Sequence, residues 1–231
     1  MRVLRAPSRT VPTTRWSATS RWRARPATFV ALLVGLWLFG TGEALLVDAH
    51  LGVAPWTVLA QGLTAHLPIS IGEATFAVSV AVLLAWIPLR ERPGLGTIAN
   101  AVVIAVSLQV MSGLLPDPSS LVLRAAMVVV GIALIGLASG LYLTANLGPG
   151  PRDGAMTGIH QRTGWPVSVV RLAIEASVLV VGWLLGGTVG VGTVAFALFI
   201  GPSVGYGLLL CGRLGGRTGA RLSDAHPELE A

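Results

Sequence analysis

The chain of 231 residues is 53% hydrophobic and only 11% charged, with a net charge of +6. Its mean hydropathy is +0.76. These values exclude a disordered chain, which is polar and highly charged, and an ordinary soluble domain, in which about a quarter of the residues are charged.

A multispan membrane protein remains. The amino-terminal stretch comes first: Arg2, Arg5, Arg9, Arg15, Arg21, Arg23 and Arg25 precede any acid, the first being Glu43. A basic arm of this kind suits nucleic acid. An apolar run begins directly after Pro26, so the arm reads as a cytoplasmic tail beside a span, and no nucleic-acid partner is expected.

A transmembrane helix needs about 20 mostly apolar residues. Six stretches qualify: 27–47, 71–90, 97–115, 121–144, 166–186 and 193–211. The first is not a signal peptide, because no small-residue cleavage site follows it. Arginines also stand at Arg90, Arg92, Arg152, Arg162, Arg213, Arg217 and Arg221. The first and fifth loops have none, and the third has only Arg124. Both termini are therefore expected in the cytoplasm. The segments are a disordered basic tail (1–26), a first three-span repeat (27–115), a second (121–211) and a cytoplasmic tail (212–231). Cys211 is the one cysteine and reads as a packing residue.

The two halves align without a gap at an offset of 96 residues. Gly35 matches Gly131, Gly40 matches Gly136, and Leu51-Gly52 matches Leu147-Gly148. Pro55 matches Pro151, Gly62 matches Gly158, and Gly94, Gly96 and Thr97 match Gly190, Gly192 and Thr193. Halves with an odd number of spans must enter the membrane from opposite sides. The expected fold is thus an all-α integral membrane protein of six transmembrane helices in two inverted three-helix repeats. Each repeat carries a short helix after its Gly/Pro loop, at about 56–67 and 152–164. Neither is long enough to cross, so both read as re-entrant or interfacial.

The second loop reads Gly148-Pro149-Gly150-Pro151-Arg152-Asp153-Gly154. The first reads Gly52-Val53-Ala54-Pro55-Trp56-Thr57. Broken elements at matching positions of two inverted halves point to a transporter binding site. They are equally plain turns that start interfacial helices. Arg152 and Asp153 are candidate substrate-binding residues, although Asp153 could instead cap its helix. Arg171 and Glu175, four residues apart on one face of the fifth span, are the other candidates. They also read as a self-neutralising structural pair. Glu43 reads as a carboxylate snorkelling outward from the first span. Asn100 and Ser107 could line a cavity or bond between helices. The histidines show no metal-ligand spacing, and no metal or other cofactor is expected. Gly201-Pro202-Ser203-Val204-Gly205 imitates a nucleophile elbow without its histidine and is read as a decoy. Gly136/Gly140, Gly182/Gly186 and Gly201/Gly205 fit small-residue helix packing.

The run Gly148 to Gly154, with Gln161-Arg162-Thr163-Gly164, Val170-Arg171, Glu175, Gly190-Val191-Gly192-Thr193 and Gly201-Pro202, resembles the YczE/YyaS/YitT group of bacterial multipass membrane proteins. It is most similar to the YczE-like branch, over residues 28–210. The resemblance implies membrane embedding and a bacterial plasma-membrane location, and it brings no substrate, cofactor or catalytic residue.

Two functions follow from the residues. One is a transporter or exporter of a small solute. The alternative is a non-transporting accessory or scaffold protein acting through a membrane partner. Beyond the lipid bilayer, the expected partners are a solute, a second copy or another membrane protein. No catalytic constellation is present, so no enzyme is expected.

Overall fold

Prolines and short polar residues decide where the helices begin. The computed structural model describes residues 11–115 and 117–216. Among them, eight helices follow in order: α1 Pro26–Asp48, α2 Pro55–Thr64, α3 Ile71–Leu89, α4 Leu95–Leu114, α5 Leu121–Thr144, α6 Pro151–Thr163, α7 Val167–Leu184 and α8 Val191–Gly215. Pro26, Pro55 and Pro151 open α1, α2 and α6, where a missing N–H costs no helical bond. Ser70 and Glu73 form a reciprocal capping box on α3. The Ser120 hydroxyl accepts the Leu123 N–H at the start of α5.

Helices α1, α3, α4, α5, α7 and α8 are long and apolar enough to cross a membrane. Their bounds lie within a few residues of the expected spans. Helices α2 and α6 have 10 and 13 residues. At about 1.5 Å per residue they reach about 15 and 20 Å, short of a bilayer core of roughly 30 Å.

The internal repeat has a structural counterpart. Pro55 and Pro151, Ile71 and Val167, and Leu95 and Val191 begin helices and are each 96 positions apart. Positive backbone φ angles recur in the same register, at His50 and Asn146 and at Gly52 and Gly148. Each half therefore contains the same series of three long helices and a short one, with the short one second.

Helices α1 and α5 form the centre. Gly35 of α1 lies against Leu141 and Tyr142, and Gly131 of α5 lies against Gly42, Leu45 and Leu46. Contacts that run in opposite order mean the two helices pack antiparallel. Helix α4 packs on α1, and α8 packs on α5. The short helices cross over: α2 packs chiefly on α7, and α6 chiefly on α3. The central cluster holds Leu46, Val58, Ile132, Ile135 and Ile200, so both halves share one core. Outward faces carry exposed apolar residues such as Val30, Leu84, Val122 and Leu198, as lipid contact requires.

The crossover is fixed by two matching latches. The Gly192 N–H donates to the Leu51 carbonyl at 2.7 Å, and the Gly96 N–H donates to the Leu147 carbonyl at 2.8 Å. Gly52 and Gly148 bend each loop at φ +101° and +111°. A side chain at Gly52 would run into the Gly190 backbone, and one at Gly148 into Thr97 and Gly94. The loop of each half thus seats on the Gly-x-Gly-Thr helix start of the other half, the same half on which its short helix packs: Leu51 on α8, Leu147 on α4.

Three expectations change. Residues 11–25, expected to be disordered, lie along the bundle end. The Ala18 N–H donates to the Ala145 carbonyl at 3.0 Å, and Asn146 donates back to the Ala18 carbonyl at 2.9 Å. Ser17 donates to the Thr144 carbonyl at 2.7 Å, and the Trp16 indole to the Thr144 hydroxyl at 3.0 Å. The Leu95 N–H donates to the Arg21 carbonyl at 3.0 Å. The reason is physical: the end of α5 and the start of α4 have backbone groups with no helical partner, and this strap supplies them. Helix α8 also continues to Gly215, past the expected start of the carboxy-terminal tail. Arg2, Arg5, Arg9, Arg217, Arg221 and His226 lie outside the described residues. Finally, only part of the small-residue pattern is packing. Gly136 and Gly140 lie against Ser203 and Gly207, and Gly182 against Leu59, but nothing lies near Gly201, and Gly186 turns the chain after α7.

Gly148→Val should lower the melting temperature sharply, because it combines a disfavoured φ with backbone overlap; a loss above about 3 kcal/mol is expected. Gly113→Ala, where nothing lies near, should be neutral or stabilise by up to about 1 kcal/mol. Thermal unfolding in detergent compares the two.

Candidate functional site

The latched loops aim the starts of α2 and α6 at one cavity. Their N-cap residues, Ala54 and Gly150, are extended, and no side chain caps either start. Each start therefore presents the positive end of a helix. Both line a cavity of about 240 Å³. That is smaller than the roughly 300–1,000 Å³ of pockets for drug-sized ligands, so the space suits a small solute.

The lining pairs residues across the repeat. Trp56 faces in with Arg152, Thr75 with Arg171, Ser79 with Glu175, Asn100 with Phe196 and Ile104 with Ile200. Every pair is 96 positions apart, so the cavity lies between the halves. The charges are not shared evenly. Arg152, Asp153, Arg171 and Glu175 all come from the second half, against Trp56, Thr57, Thr75 and Ser79 in the first.

All four sequence candidates reach this cavity. The Arg152 guanidinium stacks over Trp56 at 5.1 Å from the ring centroid. Its Nη1 lies 3.9 Å from Glu43 Oε1. Glu43 is 1% exposed, so it does not snorkel. Its other oxygen accepts the Thr57 hydroxyl at 2.5 Å, while Oε1 has no hydrogen-bond partner. The correction has a simple cause: Thr57 of α2 and Arg152 of α6 meet the carboxylate inside the bundle. Asp153 does not cap α6. It accepts the Tyr142 hydroxyl at 3.0 Å. Arg171 Nε donates to Glu175 Oε1 at 2.9 Å, as the four-residue spacing implied. Their side chains are 50% and 29% exposed.

The expected motif glycines and prolines play structural parts. Gly150 is the N-cap and Pro151 the first residue of α6. The Pro151 carbonyl accepts the Trp86 indole at 2.9 Å, and Gly154 leaves room for that ring. The Pro149 carbonyl accepts the Thr97 hydroxyl at 2.7 Å. Gly190 N-caps α8, and its N–H donates to Thr193 at 3.3 Å. Asn100 lines the cavity, whereas Ser107 donates to the Trp37 carbonyl at 2.6 Å. Ser203 of the mimic elbow donates to the Ile132 carbonyl at 3.0 Å, a helix-packing role. Among the described residues no three His, Cys, Asp or Glu side chains gather as a metal site.

Sequence reasoning missed Glu43, Thr57 and Tyr142. Thr57 could have been found, since it matches Asp153 in the repeat register. Glu43 gave a weaker signal: an acid inside a 23-residue apolar helix with no basic neighbour on that helix.

The closure of the wall is also uneven. Helix α3 packs along α4, but their counterparts α7 and α8 barely touch. The wall is therefore incomplete beside Arg171 and Glu175. Removing one member of a buried ion pair typically costs about 3–5 kcal/mol, because it strands the other charge. Arg152→Met should fall in that range, and adding Glu43→Gln should recover most of the loss. A double-mutant cycle on melting in detergent checks this; simple additivity would mean the two groups do not interact.

The geometry can be set beside known proteins. The model of a family of unknown function, DUF6198, matches residues 26–207. An uncharacterized protein of Haemophilus influenzae is 46% identical over 206 residues, covering 89% of this chain and 94% of its own. The uncharacterized membrane protein YczE of Bacillus subtilis is 31% identical over 177 residues, covering 75% of this chain and 82% of its own. The uncharacterized protein YyaS of the same organism is 23% identical over 164 residues, covering 69% and 82%. No solved structure matches the chain. The family match takes in α1 to α7 and most of α8, and with them every residue of the cavity; the chain belongs to DUF6198, and it is similar to YczE as its Gly-Pro-Arg-Asp-Gly run implied.

Proposed function

We propose that this protein carries a small solute across the bacterial plasma membrane through the cavity between its halves. One observation carries the reading: four charged side chains meet the positive ends of two broken helices inside an apolar bundle. Glu175 lies eight residues into α7, about 12 Å along a helix of about 27 Å. Charge at such depth is expensive and marks solute or ion paths. The protein does no covalent chemistry in this reading.

The halves have opposite orientations in the membrane, and α2 and α6 are re-entrant. The antiparallel packing of α1 on α5 supports this, because equivalent helices of inverted halves must run oppositely. Both termini lie in the cytoplasm. In support, arginine segments gather at one bundle end: Arg15 donates its N–H to the Gly215 carbonyl, Arg21 bonds the Arg92 carbonyl, and Arg162 the Leu89 carbonyl.

Two measurements test these statements. Proteoliposomes are incubated with a mixed pool of small metabolites, and their contents are read by mass spectrometry. Wild-type vesicles should accumulate at least one compound above empty vesicles, and Glu175→Gln should lose that gain while remaining folded. No difference in any compound would remove the transport reading. For orientation, Cys211→Ser carries single cysteines at the exposed, repeat-matched positions Leu67 and Thr163. An impermeant thiol reagent should label position 67 in intact cells and position 163 only in opened membranes. Labelling of both from one side would replace the inverted arrangement with a parallel one.

A further inference from the structure

We infer that the cavity is built for a small zwitterion, a solute carrying one carboxylate, one ammonium and an apolar body, of the α-amino-acid kind. The inference rests on the transport reading for the path, but on the charge pattern of the wall for the chemistry.

The first argument is charge balance. The groups at the cavity are the guanidiniums of Arg152 (α6) and Arg171 (α7), and the carboxylates of Asp153 (α6) and Glu175 (α7). Glu43 of α1 stands behind Arg152. The two guanidiniums and two carboxylates that line the cavity cancel in formal charge, and the open starts of α2 and α6 add only partial positive charge beside them. The wall is therefore close to neutral but densely dipolar. A solute with net charge would add an unpaired charge at bilayer depth, which is costly. A net-neutral solute with two opposite charges adds none.

The second argument is vacancy among polar groups. Thr75 is 5% exposed and lines the cavity, and its hydroxyl has no hydrogen-bond partner. A buried hydroxyl without a partner is unfavourable unless a ligand supplies one. Thr75 and Arg171 both line the cavity, so an anionic group entering it meets a hydroxyl donor of one half and a guanidinium of the other. Arg171 spends Nε on Glu175, which leaves its terminal nitrogens free of protein hydrogen bonds among the described residues. The carboxylates of Asp153 and Glu175 offer acceptors for an ammonium. Asp153 takes one bond from Tyr142, and Glu175 one from Arg171, so each has capacity left.

The third argument is the apolar wall. Phe39, Ile104, Phe196, Ile200 and Val204 line the remainder. They would bury a hydrocarbon side chain, whereas a sugar would lose hydrogen bonds against them.

The test uses the full chain purified in detergent at about pH 6, where amino groups are protonated and carboxylates ionised. Thermal shifts are measured with L-leucine and L-phenylalanine, with their carboxamides (cation only), and with their N-acetyl derivatives (anion only). At least one free amino acid should raise the melting temperature saturably, and its two derivatives should need more than tenfold higher concentration. Equal or stronger shifts from either derivative would overturn the inference, as would no shift from any compound. Thr75→Val should weaken the free amino acid about tenfold without lowering the melting temperature of the unliganded protein. Unchanged affinity in that variant would take the hydroxyl, and the anion position assigned to it, out of the site. The same compounds in proteoliposomes separate the two readings. Specific binding without uptake refutes transport and leaves the ligand class standing. Uptake of an N-acetyl or carboxamide form refutes the class and leaves transport standing.

Discussion

The whole arrangement depends on two backbone contacts: Leu51 carbonyl to Gly192 N–H, and Leu147 carbonyl to Gly96 N–H. A buried loop cannot leave its backbone amides and carbonyls unpaired. The loops after α1 and α5 are such segments, with Val53, Ala54 and Leu147 fully buried. Each solves the problem by lying on a glycine-lined helix start that has unpaired N–H groups of its own. A side chain at Gly190 or Gly192 would overlap the Leu51–Gly52 backbone, and one at Gly94 or Gly96 the Leu147 carbonyl. The glycines are therefore what lets backbone reach backbone. Thr97 and Thr193 then complete the same corners with their hydroxyls.

Once the loops are held there, the positions of α2 and α6 follow. Each short helix leaves its loop at the protein centre and runs outward across the other half, α2 over α7 and α6 over α3. Gly62 lies against Gly182 and Leu185, and Gly158 lies against Leu89, in the same register. The exchange makes either half incomplete without the other, since a separate core cluster joins Trp56 and Val78 to Met156 and Val170. It also brings both helix starts to the cavity. The chain collects its charged groups at the junction because the broken backbone has already made that place polar.

Much of this was legible in the sequence, and for identifiable reasons. Long apolar runs give helix bounds almost directly, because crossing a bilayer demands length. Gly and Pro matches gave the repeat, because those residues report backbone shape rather than general hydrophobicity. Arg171 and Glu175 were legible because helical spacing fixes their contact. Contacts between separate elements were not. Nothing local tells Glu43 that Arg152 and Thr57 will cover it. Nor does Asp153, placed where a capping residue belongs, reveal that Tyr142 will take its carboxylate. The order of residues 11–25 was not legible because their arginines dominate the composition, while the contacts that hold them come from small residues and backbone groups.

The two halves share a backbone plan but not a polarity, and this difference explains the uneven wall. In the first half Ser79 donates to the Thr75 carbonyl, so α3 settles that hydroxyl internally and can pack along α4. In the second half the matching positions are Arg171 and Glu175. Five guanidinium donors and a carboxylate cannot all be satisfied by one i,i+4 bond. Sealing α7 against α8 would bury the remainder against Phe196 and Ile200 at a cost of several kcal/mol per unsatisfied ion. The parted wall is therefore the consequence of polarity: positions that carry small hydroxyl side chains in α3 carry charges in α7, and the departure from symmetry in packing is set by those two side chains.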